Sequence, residues 1–422
     1  MADNKQVLLS VQHLEQFFKM GRQQLKAVND VSFDIYKGEV FGLVGESGCG
    51  KTTTGRSIIR LYDITGGSVY FDGQRICAGI RTYKQAVADA KAKAQAQLEV
   101  LNAQPQSAER DAEMAAIRAE LEAEIKKQTE EIRKAKDDHK NCNKKYARAQ
   151  MQAVKDEYLP RLNVMPEGEE KEKLQAEYKS ALKLASKDRI MNKIQMIFQD
   201  PIASLNPRMT VREIIAEGLI VRGIKDKQYI DEQVFKVLDL VGLVPEHANR
   251  YPHEFSGGQR QRIGIARAIV LNPELIIADE PISALDVSIQ AQVINLLNDL
   301  RHDLGLTIMF IAHDLSVVKY FSDRIAVMYF GKIVELTTSD ELFSHPLHPY
   351  TKSLLSAIPL PDPHFEKQRK RITYNPLASH DYSVQGPYMQ EVTPGHFIYC
   401  NDEELERYRQ EIAEIDAARA AQ

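Results

Sequence analysis

The chain has 422 residues, a net charge of −4 and no tryptophan. This length accommodates about two to three domains, and the balanced charge gives no electrostatic reason to expect nucleic-acid binding. No apolar run approaches the roughly 18 residues that span a bilayer, and the N-terminus lacks an apolar signal core. These features predict a cytoplasmic chain that reaches a membrane only through a partner.

The cysteines give no sign of a metal centre or a redox pair. Cys49, Cys77, Cys142 and Cys400 have neither metal-ligand nor redox-pair spacing. We therefore expect four reduced thiols in a reducing compartment.

The first 78 residues predict strands, turns and a phosphate-binding loop. Val31, Phe33 and Ile35 recur with a period of two, residues 39–44 form a short apolar run, and residues 67–73 predict a strand with an Asp-Gly turn.

After the apolar run at residues 39–44, the sequence matches the P-loop pattern G-x-x-x-x-G-K-[ST]. Glycines let backbone N–H groups turn toward phosphates, Lys51 would neutralise the β- and γ-phosphates of ATP, and Thr52 offers a hydroxyl to Mg²⁺. The predicted nucleotide-binding residues are Gly45, Glu46, Ser47, Gly48, Cys49, Gly50, Lys51, Thr52 and Thr53.

Residues 79–189 form an insertion rich in Ala, Lys, Glu, Gln and Arg, a composition typical of long helices and coiled coils. Its apolar residues include a helical stripe, and prolines at 105, 160 and 166 lie nearly symmetrically about residue 134. We predict an antiparallel helical hairpin with its tip around residues 134–143, where weak helix formers cluster. The alternative is one uninterrupted helix from about Ser107 to Tyr158, flanked by two shorter helices.

Strand and helix patterns alternate from residue 190 onward, which predicts a largely parallel sheet. Strands are expected at 194–198, 275–278 and 307–312, with a helical region from Val211 to Leu243. After about His345 the chain is proline-rich and predicts an irregular tail that closes with a charged helix from Asp402.

Polar residues follow three of these strands. Asp279 ends an apolar strand and can reach Mg²⁺, often through water, while Glu280 can orient or deprotonate an attacking water. His313 ends the strand at 307–312, and Gln199 follows the strand at 194–198. The chemistry of Gln199 alone also fits a polar strand cap.

The segment from Phe255 to Gln259 indicates which class of nucleotide-binding protein the chain resembles. Ser256 can cap a helix, and Gly257 and Gly258 allow a phosphate to approach closely. A P-loop, this Ser-Gly-Gly-Gln segment and an apolar strand ending in Asp-Glu together resemble the ATP-binding-cassette (ABC) ATPase family. The implied fold is an α/β P-loop NTPase with a RecA-like core, an antiparallel β subdomain and a helical subdomain, here with an inserted helical hairpin and a C-terminal extension.

The resemblance implies further roles. Ser256, Gly257, Gly258 and Gln259 would bind ATP held by another subunit, and Asp286 belongs to a loop at the subunit contact. Gln199 would meet Mg²⁺ and the attacking water, and His313 the γ-phosphate. Phe17 lies where the family stacks an aromatic ring on adenine, although a core role fits it nearly as well.

Two segments are similar to the oligopeptide/dipeptide importer subfamily, most of all to its F-type ATP-binding subunits. These are residues 198–209 and the C-terminal residues 347–355 with 358–363. The resemblance implies an ATPase at the cytoplasmic face of the membrane, paired with a D-type ATPase subunit and two transmembrane permease subunits. An extracellular peptide-binding protein would supply the substrate.

Two features depart from the subfamily pattern. Only Cys400 lies in the tail where many members carry a cysteine cluster, so we expect no iron–sulfur centre. The insertion is the second departure. It is either a solvated spacer or a docking element for a partner protein or for the other ATPase subunit. The predicted division is a first ATPase part at 1–78, the insertion at 79–189, a second ATPase part at 190–345 and the extension at 346–422.

A chromosome-maintenance or DNA-repair ATPase of the SMC type is the alternative function. Such proteins also place a coiled coil between the P-loop and the Ser-Gly-Gly-Gln segment, which is called the signature (residues 256–259). Their arms are several times longer, however, and they lack the importer tail.

Overall fold

The computed structural model describes residues 6–358 and 371–420. The prolines at 359, 361 and 363 that contribute to the subfamily resemblance lie outside these ranges. The strands are β1 (Val7–Met20), β2 (Gln23–Tyr36), β3 (Val40–Val44), β4 (Gly66–Phe71), β5 (Gln74–Ala78), β6 (Ile194–Ile197), β7 (Leu275–Asp279), β8 (Thr307–Ala312), β9 (Arg324–Tyr329), β10 (Lys332–Thr338), β11 (Tyr388–Thr393) and β12 (His396–Cys400).

The helices include three that make up the insertion. The helices are α1 (Lys51–Ile58), α2 (Arg81–Asn102), α3 (Ala108–Val164), α4 (Glu169–Ala185), α5 (Pro201–Ser204), α6 (Val211–Val221), α7 (Lys227–Leu240), α8 (Gly257–Ile269), α9 (Val287–Leu304), α10 (Leu315–Phe321), α11 (Ser339–Ser344), α12 (Pro349–Ser356), α13 (Pro376–Ser379) and α14 (Asp402–Ala420). In the described ranges no helix is both long and apolar enough to cross a membrane.

The main sheet has the strand order β11-β12-β10-β9-β3-β8-β7-β6, and its five strands from β9 to β6 are parallel. This confirms the parallel sheet expected from the alternating pattern. Strands β3, β7 and β8 are buried along their whole length, as continuous apolar runs predict. Because the carboxyl ends of parallel strands meet at one edge, the residues that follow β3, β6, β7 and β8 come together there.

A second, four-stranded sheet is antiparallel, with the order β2-β1-β4-β5. The period of two seen in the sequence is confirmed, because Val31, Phe33 and Ile35 of β2 are all buried. The Asp72-Gly73 turn joins β4 to β5, as expected.

The predicted single hairpin of the insertion is wrong, and the alternative of one long helix flanked by two shorter ones is correct. Helix α3 runs without a break for 57 residues, a length of about 85 Å at the usual helical rise. Helix α2 packs along its first part and α4 along its last part, and the turns between them contain Pro105 and Pro166. Pro160 lies inside α3, one turn before its end. The prolines therefore mark the ends of α3 and not matching heights on two arms.

The segment predicted as the tip is instead where α3 lies against the ATPase domain. Asp138 forms an ion pair of 2.9 Å with Arg75 of β5, and Cys142 is buried in the same apolar cluster as Cys77. Asn143 accepts a hydrogen bond from the backbone N–H of Ile190. These contacts hold weak helix formers in a helical conformation, since packing overrides small differences in propensity.

The predicted irregular tail is wrong between residues 388 and 400. Strand β12 pairs antiparallel with β10 and with β11, so this hairpin extends the main sheet. The charged helix from Asp402 is confirmed as α14. Pairing of β12 with β10 joins residues about 60 positions apart, which no local sequence pattern indicates.

A buried carboxylate holds the start of α12. Glu335 of β10 is fully buried and accepts hydrogen bonds from the backbone N–H groups of Leu347 and His348, and from the ring of His396. Pro349 occupies the first helical position, where its missing N–H costs nothing. Nδ1 of His348 accepts a hydrogen bond of 3.1 Å from the N–H of Tyr350, so His348 caps the helix as a neutral imidazole.

This cap predicts a pH dependence of stability. Burial, with smaller contributions from His380 and Lys352, lowers the pKa of His348 to about 3. Unfolded histidine titrates near pH 6.5, so below that pH the unfolded chain binds a proton that the folded chain resists. The contribution of the neutral His348 side chain to the free energy of unfolding is therefore present in full above about pH 6.5. It is lost progressively as the pH falls toward 3. Between pH 7.5 and 5 we expect the wild type to lose about 2 kcal/mol more than His348→Asn, whose amide oxygen caps without titrating. Urea unfolding at both pH values measures this; equal losses in the two proteins would contradict it.

Candidate functional site

The predicted P-loop lies between β3 and α1. Gly50 adopts φ +111°, and a Cβ at this position would lie 2.3 Å from the carbonyl oxygen of Ala27, so only glycine fits. The backbone N–H of Gly331, in the turn between β9 and β10, donates to the carbonyl of Cys49 and holds the loop from that side. Burial raises the pKa of the Cys49 thiol, although Lys51 opposes the increase, so the thiol stays protonated.

Lys51 is 4% exposed and its ammonium group is held by the loop itself. Nζ donates to the carbonyl oxygens of Gly45, at 2.8 Å, and Glu46, at 2.9 Å. The cation therefore lies inside the curve of the loop, where a phosphate can exchange for the Glu46 carbonyl oxygen.

Thr52 and Asp279 come together from two different segments. The Thr52 hydroxyl donates to Asp279 Oδ1 at 2.7 Å, and Arg56 Nη2 lies 3.9 Å from Oδ2. Asp279 is fully buried, and its Oδ2 accepts no hydrogen bond from residues 6–358 or 371–420. Burial raises the pKa of this carboxyl, while Thr52 and Arg56 oppose part of the increase. A buried carboxylate oxygen without a donor beside a hydroxyl is the kind of oxygen pair that a Mg²⁺ ion prefers.

Glu280, Gln199 and His313 also converge. Gln199 Nε2 donates to Glu280 Oε2 at 2.9 Å, and His313 Nδ1 lies 3.4 Å from the same oxygen. Glu280 has φ +43°, an unfavourable conformation for a residue with a Cβ, of the sort found at functional sites. The strands β6, β7 and β8 thus bring the three predicted catalytic side chains together, with Gln199 and His313 on either side of the Glu280 carboxylate.

The signature segment begins α8. Ser256 Oγ accepts from the N–H of Gln259, and Gln259 Oε1 accepts from the N–H of Ser256, which together form a capping box. A Cβ on Gly258 would lie 2.5 Å from the Ile289 side chain of α9, so this glycine is also needed for packing. Ser256, Gly257 and Asp286 are exposed, as a contact with another molecule requires.

Phe17 is half-buried in β1. The Arg81 guanidinium lies 4.5 Å from the centre of its ring and Lys26 Nζ lies 5.7 Å from it. The Phe17 ring is neither buried in the core nor fully exposed to solvent, and adenine stacking on it stays a prediction.

Two residues near the site were not among those predicted from sequence. Arg56 lies one helical turn after Thr52 and outside the P-loop pattern, so no sequence motif pointed to it. The Tyr350 hydroxyl contacts the P-loop at Glu46, and the only signal for it was the His-Pro-Tyr sequence of the extension.

Comparisons with known families agree with the fold. A family model described as ABC transporter matches residues 28–155 and 162–283. A second, described as Oligopeptide/dipeptide transporter, C-terminal region, matches residues 334–386.

Curated relatives match nearly the whole chain. An oligopeptide transport ATP-binding protein, OppF, of Bacillus subtilis is 46% identical over 402 residues, covering 95% of this chain and 98% of that one. The protein of the same name from Streptococcus mutans is 44% identical, with coverage of 97% and 99%. A dipeptide transport ATP-binding protein, DppF, of Lactococcus lactis is 42% identical, with coverage of 97% and 98%.

A solved structure shares the fold. An ATP-binding cassette of an ABC transporter in its ADP conformation aligns with a TM-score of 0.50 and 19% identity, covering 83% of this chain and 99% of that one. The SMC-type alternative is not supported, because the relatives that match along the chain are transport ATP-binding proteins. The chain therefore belongs to the ABC transporter family of ATP-binding, ATP-hydrolysing subunits and carries the C-terminal region of the oligopeptide/dipeptide transporters.

Proposed function

We propose that this chain powers oligopeptide import across the cytoplasmic membrane, as a peripheral subunit on its cytoplasmic face. The observation that carries the proposal is the similarity, over 95% of the chain, to an oligopeptide transport ATP-binding protein. The convergence of the P-loop with Asp279, Glu280, Gln199 and His313 supplies the groups that ATP hydrolysis needs.

We infer that ATP binds with Mg²⁺ and that Thr52, Asp279 and Gln199 hold the metal. The fit rests on the hydroxyl–carboxylate pair at 2.7 Å and on the Asp279 oxygen that lacks a donor within the described ranges. The ion, when bound, neutralises charge on the β- and γ-phosphates.

Four side chains have separate roles in binding the phosphates and activating water. Lys51 keeps its hydrogen bond to the Gly45 carbonyl, exchanges the Glu46 carbonyl for phosphate oxygens and places a positive charge beside them. Glu280 accepts a hydrogen bond from the attacking water and orients it, and Gln199 fixes the carboxylate on one side. His313 donates to the γ-phosphate from the end of β8.

The signature acts on a second subunit. Ser256, Gly257, Gly258 and Gln259 cap ATP bound by the P-loop of a D-type ATPase subunit, and Asp286 lies at the contact between the two. ATP closes this pair and hydrolysis reopens it, because ATP makes more contacts in the closed state. Two transmembrane permease subunits carry the movement, and an extracellular peptide-binding protein delivers the peptide.

Peptide uptake by cells tests the proposal. In a strain that lacks this chain, we expect loss of uptake of a labelled oligopeptide and recovery when the wild type is supplied from a plasmid. Uptake of a labelled free amino acid serves as the control and should not change. Normal oligopeptide uptake without this chain, in cells with no second oligopeptide importer, would contradict the proposal.

A further inference from the structure

The C-terminal extension reaches the nucleotide site through one side chain. The backbone N–H of Glu46, the second residue of the P-loop, donates a hydrogen bond of 3.0 Å to the hydroxyl of Tyr350 on α12. Residues 46–48 of the loop are exposed, whereas Tyr350 is 2% exposed. A buried side chain thus contacts the exposed outer part of the loop.

The peptide that Tyr350 contacts is also the one that holds Lys51. The N–H of Glu46 and the C=O of Gly45 belong to the same peptide group, and the two point in opposite directions because the peptide is trans. Tyr350 accepts from the N–H, while Lys51 Nζ donates to the C=O at 2.8 Å. The hydroxyl and the ammonium therefore bind opposite ends of one peptide.

This peptide would otherwise be free to rotate. Gly45 has φ +151°, a region open to glycine, and a Cβ there would lie 2.2 Å from the Met328 carbonyl oxygen. A glycine at this point removes the steric barrier to a flip of the following peptide, so its orientation depends on hydrogen bonds. A flip would remove the Gly45 oxygen from Lys51 and release the ammonium group from its position inside the loop.

Tyr350 is itself held firmly. His348 caps α12, and Glu335 of β10 accepts hydrogen bonds from the backbone N–H groups of Leu347 and His348. These bonds attach the start of α12 to the main sheet. The ring packs against Tyr329, with centroids 4.4 Å apart, and against Tyr374, 5.6 Å away. Burial raises the pKa of the Tyr350 phenol well above its ordinary value, so its hydroxyl stays neutral.

We propose that Tyr350 is a positioning residue for nucleotide binding, which fixes the Gly45–Glu46 peptide, and through it Lys51, in the arrangement that receives ATP. Each residue of the His-Pro-Tyr sequence then has a structural role: His348 caps α12, Pro349 occupies its first position and Tyr350 bonds to the P-loop. The proposal rests on the P-loop being the nucleotide site and does not depend on what is transported.

Tyr350→Phe isolates the hydroxyl, because it keeps the ring and its packing. Loss of one neutral hydrogen bond that preorganises a site corresponds to about a three- to tenfold change in affinity. We expect the Kd of the full-length chain for MgATP, measured by isothermal titration calorimetry, to rise by about that factor. In the assembled transporter, KM for ATP should rise similarly while kcat changes less than about twofold, since a loosened loop weakens binding and not the chemical step.

Tyr374→Phe is the matched control, because it removes a hydroxyl from the same aromatic cluster. It should leave the Kd unchanged, and urea unfolding midpoints should agree between the two variants. An unchanged Kd in Tyr350→Phe, or an equal rise in both variants, would overturn the proposal. Failure of the wild-type chain to bind MgATP would instead overturn the nucleotide site, and failure of peptide uptake would bear only on the transport function.

Discussion

Glu280→Gln is expected to stop ATP turnover while ATP still binds. A positioned general base contributes about 10²- to 10⁴-fold to rate, so we expect kcat of the assembled transporter to fall by at least about a hundredfold. The amide retains the size of the carboxylate and can still bond to Gln199, which is 2.9 Å from Glu280. It cannot take a proton or hold a water as a base. Steady-state phosphate release measures kcat, and calorimetry measures the Kd for MgATP.

Glu274→Gln is a suitable control for this variant. Glu274 precedes β7 and Glu280 follows it, so both changes neutralise a carboxylate at an end of the same strand. Glu274 pairs with Lys193 at 3.4 Å, away from the P-loop. Turnover should remain normal in Glu274→Gln. If Glu280→Gln kept more than a tenth of wild-type kcat, Glu280 would not be the group that activates water.

Lys51→Met should abolish nucleotide binding at physiological concentrations. Hydrogen bonds to a charged group contribute about 1.5–3 kcal/mol each, and Lys51 has lost most of its contact with solvent. With two such bonds to phosphate removed, we expect the Kd for MgATP to rise at least about a hundredfold. Methionine has nearly the same length and leaves no charge to bury, so the urea unfolding midpoint should not fall.

Lys37→Met provides the comparison, because Lys37 is exposed and lies just before β3, while Lys51 follows the same strand. Its Kd for MgATP should equal that of the wild type. A Lys51→Met chain that bound MgATP within threefold of the wild type would show that the phosphates lie elsewhere.

Sequence patterns predicted the elements that depend on local chemistry. The buried strands β3, β7 and β8 are short apolar runs, and the residues that follow them needed only the geometry of a parallel sheet to come together. The capping box at Ser256 and Gln259 is local as well. The roles assigned to these residues remain predictions until the variants above are measured.

Features that depend on distant contacts were not predictable in the same way. Weak helix formers near residue 138 suggested a turn, but the ion pair with Arg75 and the burial of Cys142 hold them within a long helix. The strand pair β10–β12 and the contact of Tyr350 with Glu46 join segments that are far apart in the chain. No periodicity or propensity encodes which such segments meet.

Coupled transport by the reconstituted complex tests the central claim most directly. The chain would be assembled with its ATPase partner and permease subunits in liposomes, with ATP supplied on the side of this chain and binding protein with labelled oligopeptide on the other. We predict that peptide accumulation and phosphate release proceed together in the wild type and are lost together in Glu280→Gln, while Glu274→Gln retains both. Peptide accumulation that continued without ATP, or that persisted in Glu280→Gln with hydrolysis abolished, would contradict an import driven by this chain.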